Sequence, residues 1–276
     1  MALTLGYSPC PNDTFIFDAL VHGRIDGGGL QFRERLEDVE TLNQLAAEAV
    51  LDISKVSYGA VPYLLDEYVL LRSGGALGRG CGPLLVAREG VEPSELRTGR
   101  ISIPGRNTTA NLLLRLWNPG LPAGAERVYS DIMPAVARGE VDAGLIIHES
   151  RFTYPQHGLR KLLDLGEWWE SETGLPIPLG GIVARRSLGQ DTIRRVEDAI
   201  RRSVEHAFAA PDASVGYVRE HAQEMDEKVM REHIALYVNS FSIDLGAEGE
   251  RAARELLSRA ARSGLVPTTE APFLPR

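Results

Sequence analysis

Short apolar runs alternate with helical patterns along this chain of 276 residues, and this alternation is the strongest constraint on its fold. Short apolar runs without a helical period are typical of buried strands, and strands separated by helices favour an α/β fold with mainly parallel sheets. The apolar runs predict strands at 3–7, 30–35, 51–57, 69–72, 83–88, 101–104, 126–129 and 143–147. The segment 191–276 is strongly helical.

Two apolar segments end in the same Val-Ala-Arg sequence, PLLVAR at 83–88 and GGIVARR at 180–186. We interpret them as two strands that cross between two lobes. The predicted larger lobe is discontinuous and comprises residues 1–86 and 183–276, and the predicted smaller lobe comprises residues 87–182.

His148 stands directly after the apolar run Ala143–Ile147. The run indicates a strand buried on both faces, and ligands bind at the ends of strands in open α/β sheets. Imidazole has an unperturbed pKa of ~6.5, which suits proton transfer at neutral pH. His148 is therefore a candidate general base. The alternative is a strand-end histidine that hydrogen-bonds to nearby backbone, and position alone favours that alternative.

Three further segments are predicted at strand ends beside the same cleft: Ser8–Asp13, Lys55–Ser57 and Gly105–Thr109. In the last segment a glycine turn and two threonines precede a helix, whose N-terminus attracts anions. Simple capping by Asn107 or Thr108 is the alternative, and the sequence alone favours it.

Three basic residues near these segments are open to two interpretations. A lysine on a strand is usually solvated at a sheet edge, so Lys55 is expected to be solvated unless it pairs with an anionic ligand. Arg79 and Arg106 have the same two interpretations, and solvation is favoured for each.

The composition excludes several partner classes. With a formal net charge of −8 and no long basic cluster, the chain is not expected to bind nucleic acid or an anionic membrane surface. The sequence contains no run of about 18 apolar residues, so no membrane span is predicted. The first residues lack a basic, apolar leader, so we expect a cytoplasmic location.

The cysteines and the known catalytic motifs add little. Cys10 and Cys81 lack metal-ligand spacing and are expected to be reduced thiols. Neither a metal site nor a nucleophile elbow is supported by any motif.

Seven motifs in a fixed order resemble one known family over residues 3–241. They are SPCPNDTFIFDALVHGRI (8–25), LEDVETLN (36–43), SKVSYGA (54–60), SGGALGRGCGPL (73–84), PGRNTTA (104–110), GLIIHESRFTY (144–154) and LPIPLGG (175–181). In this order they resemble the 1,4-dihydroxy-6-naphthoate synthases of the futalosine route to menaquinone. The resemblance implies a type II periplasmic-binding-protein-like fold, with two α/β lobes joined by two crossing strands.

The resemblance also implies roles for individual residues. His148 corresponds to the catalytic base, and Lys55, Val56, Ser57, Thr108 and Thr109 match substrate-binding positions. Asn107 departs from the family motif, so no role is assigned to it.

The implied reaction is a lyase reaction on cyclic dehypoxanthine futalosine. The substrate carboxylate would bind at the Thr108-Thr109 helix start and Lys55, the lobes would close, and His148 would remove a C–H proton. Cleavage of a C–C bond would then form the aromatic dihydroxynaphthoate. Because aromatisation supplies the driving force, no redox cofactor and no metal is expected.

Two rival functions remain open from the sequence. A solute-binding protein without catalysis shares the implied fold, although the missing leader counts against it. Chorismate dehydratase of the same pathway is a different reaction on a related fold. In each case the expected partner is a small-molecule carboxylate. The sequence leaves the oligomeric state open, a homodimer included.

Overall fold

The computed structural model describes residues 2–97, 99–222, 226–269 and 272–275. Residues 1, 223–225, 270, 271 and 276 of the predicted larger lobe and residue 98 of the predicted smaller lobe therefore lie outside the described residues. The strands are β1 (Ala2–Tyr7), β2 (Gln31–Leu36), β3 (Ile53–Ser57), β4 (Tyr68–Leu70), β5 (Ala76–Gly78), β6 (Leu84–Arg88), β7 (Ile101–Ile103), β8 (Ala125–Glu126), β9 (Ala143–Ile146), β10 (Leu159–Asp164) and β11 (Ile177–Arg185). The helices are α1 (Pro11–Val21), α2 (Val39–Ala47), α3 (Thr109–Trp117), α4 (Tyr129–Ala137), α5 (Ser150–Thr153), α6 (Leu165–Thr173), α7 (Gln190–Ala209), α8 (Val215–His221), α9 (Glu227–Tyr237), α10 (Ser240–Ile243) and α11 (Gly246–Arg262).

The strands form two separate sheets. The first has the order β2-β1-β3-β11-β4, with β5 also paired to β11, and the second has the order β10-β6-β9-β7-β8. Strand β1 runs parallel to β2 and β3, and β7 runs parallel to β8 and β9. These units confirm an α/β fold with two sheets.

The prediction of mainly parallel sheets is wrong. Strand β11 pairs antiparallel with β3, β4 and β5, and β6 pairs antiparallel with β9 and β10. Both strands follow a passage of the chain from one sheet to the other. Each of these strands starts at the cleft edge of its sheet, whereas β1, β3, β7 and β9 end at that edge. Both sheets therefore contain parallel and antiparallel pairs.

Both segments predicted as crossing strands form strands, β6 and β11, but each strand belongs to one sheet and the chain crosses in the connection before it. Strand β6 lies in the second sheet, and β11 lies in the first sheet from Ile177 onwards. The chain therefore changes sheet between β5 and β6 and again between β10 and β11. The predicted lobe boundaries after residues 86 and 182 stay predictions.

Helix α1 begins inside the predicted strand-end segment Ser8–Asp13. Its first residue is Pro11, whose missing N–H costs nothing in a first helical turn. Asn12 and Asp13 therefore lie inside the helix with buried side chains, 6% and 2% exposed. This places two polar groups in the wall of the cleft.

The segment 159–173 forms a strand and a helix that the sequence analysis did not predict. Asp164 ends β10 and caps α6, because its carboxylate accepts the N–H groups of Gly166 and Glu167. Trp169 is fully buried and donates its indole N–H to the carbonyl of Pro176 at 3.0 Å. Trp169 thus anchors α6 against the start of β11.

The two lobes share one buried apolar cluster. It includes Val56 and Tyr58 from the lobe that contains the first sheet, and Leu85, Leu113 and Leu145 from the lobe that contains the second sheet. No helix among the described residues is both long and apolar enough to span a membrane.

Gly82 packs directly against Gly166, so a side chain at residue 82 would overlap backbone. We expect Gly82→Ala to lower the free energy of unfolding by about 2 kcal/mol, because the two segments must move apart. Gly216 is the matched control: a Cβ there meets nothing within 4 Å, and Gly216→Ala should raise stability by about 0.5 kcal/mol. Urea unfolding measures both, and a Gly82→Ala protein as stable as the parent would contradict the packing.

Candidate active site

A cavity lies between the two lobes, and its walls come from elements of both. All six residues singled out from the sequence line it: Lys55, Val56, Ser57, Thr108, Thr109 and His148. Side chains that the sequence analysis did not assign complete the polar part of the wall, among them Ser8, Asn12 and Asp13.

His148 reaches the cavity through a sharp turn after β9. The strand ends at Ile146, and His148 has a left-handed backbone with φ of 56°, which few residues other than glycine adopt. The ring packs edge-on against Tyr129, at 5.1 Å between centroids, and stacks on His233 at 6.3 Å. It is partly exposed to the cavity.

The environment of His148 favours the neutral imidazole. Burial lowers its pKa below the usual value, and the neighbouring Glu149 carboxylate opposes that shift more weakly. A neutral imidazole that borders a cavity has the protonation state that a general base requires.

Glu149, rather than Asp142, is the carboxylate near His148. Asp142 precedes β9 and accepts the N–H of Arg100 at 2.7 Å. Glu149 is buried, and its Oε1 accepts a hydrogen bond from the Tyr129 hydroxyl at 3.2 Å. Its Oε2 lies 3.9 Å from Nδ1 of His233.

Lys55 is buried, which contradicts the expectation of a solvated edge lysine. Its strand β3 lies inside the first sheet between β1 and β11, and the side chain is only 7% exposed. The ammonium forms an ion pair with Asp13, whose carboxylate also accepts hydrogen bonds from Ser8 and Asn12. A buried lysine needs such a partner, so the charge of Lys55 is held at the cavity wall.

Arg79 and Arg106 are solvated, as the sequence favoured. Their side chains are 47% and 78% exposed, and they pair with surface glutamates. Neither lines the cavity.

The two threonines at the start of α3 have different structural roles. Thr108 caps the helix: its hydroxyl accepts the N–H of Asn111 at 3.2 Å and donates to the carbonyl of Gly105 at 2.8 Å. This confirms the capping interpretation for Thr108. The first turn still leaves the N–H groups of Thr109 and Ala110 without intrahelical partners, and they can receive an anion.

Thr109 and Asn107 join the two lobes. The Thr109 hydroxyl donates to the carbonyl of Leu179 at 2.6 Å and accepts the N–H of Gly59 at 3.3 Å. Asn107 donates its side-chain amide to Glu40 at 3.0 Å. These contacts hold the lobes closed, and they give Asn107 a role that the sequence did not assign.

His233 is the main residue that the sequence analysis missed. It lies on α9, is fully buried, and brings its Nε2 within 2.8 Å of Asn12 Oδ1. A signal was available: Met230, His233 and Tyr237 share the buried face of a predicted helix, where a histidine needs a polar partner. Which partner it finds depends on contacts between distant residues.

One group of potential metal ligands occurs among the described residues. Donor atoms of Cys10, His148 and Glu149 lie within 4.8 Å of one another. Burial raises the pKa of the Cys10 thiol, and a protonated thiol is a poor metal ligand and nucleophile. The arrangement therefore favours acid–base chemistry by His148 over metal binding.

Comparison with known proteins supports one family and one fold. The profile described as menaquinone biosynthesis matches residues 3–262. The 1,4-dihydroxy-6-naphthoate synthase of Thermus thermophilus is 53% identical over 272 residues, covering 99% of this chain and 98% of that protein. The crystal structure of protein AF1704 from Archaeoglobus fulgidus is 33% identical with a TM-score of 0.89, covering 96% of this chain and 98% of that one.

A more distant structure identifies the fold. The periplasmic aliphatic sulphonate binding protein SsuA of Escherichia coli has a TM-score of 0.66 at 14% identity, covering 98% of this chain and 90% of that one. The two sheets and the cleft thus define a two-lobed α/β protein of the periplasmic-binding-protein-like class, as predicted. Within that class, the chain belongs to the menaquinone biosynthesis family. The resemblance to the 1,4-dihydroxy-6-naphthoate synthases is thereby confirmed.

The buried pair of Lys55 and Asp13 can be tested by a double-mutant cycle. Lys55→Met leaves the Asp13 charge buried without its cation and should lower the free energy of unfolding by about 3 kcal/mol. Adding Asp13→Asn removes that charge, so the double variant should be more stable than Lys55→Met alone. Chemical unfolding of the parent, Lys55→Met, Asp13→Asn and the double variant measures the coupling free energy between the two residues. Strictly additive losses would refute the pairing.

Gly59 allows the lobes to approach each other. A Cβ there would lie 2.7 Å from the carbonyl oxygen of Asn107 and 2.8 Å from that of Thr108. We expect Gly59→Ala to hold the lobes apart and to increase the radius of gyration measured by small-angle X-ray scattering. The Gly216→Ala protein serves as the control with an unchanged radius. Identical scattering from both variants would show that closure tolerates a side chain at residue 59.

Proposed function

We propose that this chain is a carbon–carbon lyase that converts cyclic dehypoxanthine futalosine to 1,4-dihydroxy-6-naphthoate, with His148 as the general base. The observation that carries the proposal is the place of the His148 imidazole, whose pKa burial lowers, in the wall of a cavity that is also lined by Lys55 and the start of α3. The similarity to a naphthoate synthase over nearly the whole chain supports the choice of reaction.

The substrate carboxylate is proposed to bind between Lys55 and the start of α3. Lys55 supplies a positive charge, and the first-turn N–H groups of Thr109 and Ala110 supply hydrogen-bond donors. Val56 and Ser57 complete the same wall next to Lys55. Because Asp13 already neutralises part of the Lys55 charge, the N–H groups at the start of α3 are proposed to contribute to carboxylate binding together with Lys55.

Catalysis is proposed to start when His148 removes an acidic C–H proton of the bound substrate. The electron pair left on carbon forms a new double bond as a C–C bond breaks. The sugar-derived fragment leaves with the electron pair of the broken bond and is then protonated, and the remaining ring becomes aromatic. Closure of the lobes excludes water from this step, which protects the intermediate and strengthens electrostatic interactions. His148 needs no metal or redox partner to move this proton.

The proposal includes a setting for the enzyme as well as a reaction. We propose a cytoplasmic location, which the free, buried thiols of Cys10 and Cys81 support. The proposed partner is a small-molecule carboxylate.

Replacing His148 tests the base directly. His148→Ala should reduce kcat by ~10²- to 10⁴-fold, because a positioned base contributes that much to a proton transfer. Mass-spectrometric detection of dihydroxynaphthoate from the cyclic substrate measures turnover. His157→Ala, an exposed histidine outside the cavity, is the control and should keep full activity.

The same assay separates the rival functions. Near-normal turnover by His148→Ala would remove the histidine from the mechanism. Turnover of chorismate instead of the cyclic substrate would indicate the dehydratase reaction. Binding with release of unmodified ligand in equilibrium dialysis would indicate a solute-binding protein.

The pH profile gives an independent prediction. Burial lowers the pKa of His148, so the imidazole stays neutral at pH values near and above ~6.5. The value of kcat/KM should therefore be constant at neutral pH and fall only as acidification protonates the base. If kcat/KM already began to fall above pH ~7 as the solution is acidified, a base with a lowered pKa would be contradicted.

A further inference from the structure

The hydrogen bonds around His233 determine which of its ring nitrogens carries the proton. The Asn12 amide nitrogen donates to Asp13 Oδ1 at 2.7 Å, and that carboxylate also pairs with Lys55 and acts as an acceptor. The amide oxygen of Asn12 must then face His233, whose Nε2 lies 2.8 Å away. An amide oxygen only accepts, so Nε2 of His233 carries the hydrogen and Nδ1 is an acceptor.

Two buried acceptors face each other on the other side of the His233 ring. Nδ1 of His233 and Oε2 of Glu149 are 3.9 Å apart, and neither has a hydrogen-bond partner within the described part of the chain. Buried polar atoms are rarely left unpaired, because losing water without gaining a partner is costly. A proton on either atom would give the pair a donor and an acceptor, and a small side-chain movement would then bring the two atoms from 3.9 Å to hydrogen-bond distance.

These two acceptor atoms lie next to the candidate base. The His148 and His233 rings are nearly parallel, with 22° between their planes. A ring nitrogen of His148 and a carboxylate oxygen of Glu149 lie within 4.8 Å of each other. One bridging water or a small side-chain rotation spans that gap.

We propose that Glu149 and His233 form an acceptor pair that takes the substrate proton from His148. In this step an N–H bond of the His148 imidazolium breaks, and an O–H or N–H bond forms within the pair. The charge of His148 falls from +1 to zero, and the charge of the pair rises from −1 to zero. The step rests on the function proposed above, and it returns His148 to its basic form.

The surrounding groups leave Glu149 as the available acceptor. The titratable and charged side chains that face His148 and the pair are Cys10, Asp13, Asp38, Lys55, Tyr129 and Tyr237. Burial raises the pKa of Cys10, Tyr129 and Tyr237, so these three stay protonated. Asp13 is paired with Lys55, and Asp38 caps α2.

Glu149→Gln is the sharpest test, because it keeps the shape of the side chain and removes its ability to take a proton. The new amide can donate to Nδ1 of His233, so the buried pair is satisfied and the fold should persist. We expect kcat to fall by about tenfold or more with KM nearly unchanged. The acid limb of the kcat/KM profile should move to lower pH, because the Glu149 carboxylate no longer raises the pKa of His148.

His233→Gln provides a second variant, and Asp142→Asn provides a control. His233→Gln removes the ring acceptor, and its loss in kcat should not add to that of Glu149→Gln, since the two residues act as one unit. Asp142→Asn makes the same charge change at the opposite end of β9, away from the cavity, and should leave activity and pH profile unchanged. If the losses in kcat of Glu149→Gln and His233→Gln were additive in the double variant, the proposal that the two residues act as one acceptor pair would be overturned.

Histidine-ring NMR separates failure of the pair from failure of the proposed function. In the parent protein His233 should show an Nε2–H tautomer, and Glu149→Gln should lower the titration midpoint of His148 whatever the substrate is. An Nδ1–H tautomer, or an unchanged midpoint together with unchanged kcat, overturns the proposal. Absence of turnover by the parent protein refutes the proposed reaction, and the NMR titration then decides the pair alone.

Discussion

The buried ion pair between Lys55 and Asp13 is the interaction on which the cavity depends. It holds the first turn of α1 against the central strand β3, and it fixes the orientation of the Asn12 amide. Asn12 in turn orients His233, whose far side faces Glu149 from the other lobe. A set of polar contacts thus runs from the first sheet to His233, and a gap of 3.9 Å separates it from Glu149, the residue after His148. Because each member is buried, losing one leaves its neighbour unpaired.

The fold and much of the cavity were predictable from local sequence patterns. The apolar runs and caps indicated most strands and helices, and the strand ends brought Lys55, Thr108 and His148 to one cavity. Local patterns failed where contacts between distant residues decide the outcome. The burial of Lys55 depends on β11 pairing with β3, and the role of His233 depends on Asn12, which lies 221 residues away in the sequence.

The fold alone does not distinguish a binding protein from an enzyme. SsuA shares the two lobes at 14% identity, so the difference must lie in side chains at the cleft. In this chain the left-handed turn at His148 brings a titratable ring to the cavity wall, and two buried acceptors that are unpaired among the described residues lie beside it. Neither feature contributes to holding the lobes together, which is the task of Thr109 and Asn107.

The hydrogen bonds that join the lobes also have a kinetic consequence. Separation of the lobes at this contact would break the hydrogen bonds of Thr109 to Leu179 and Gly59 and that of Asn107 to Glu40. Where capture of a ligand requires such a separation, its frequency sets an upper limit on the rate of capture, however favourable the contacts inside. The timing of ligand exchange would then depend on five residues, Glu40, Gly59, Asn107, Thr109 and Leu179, whose hydrogen bonds join the lobes.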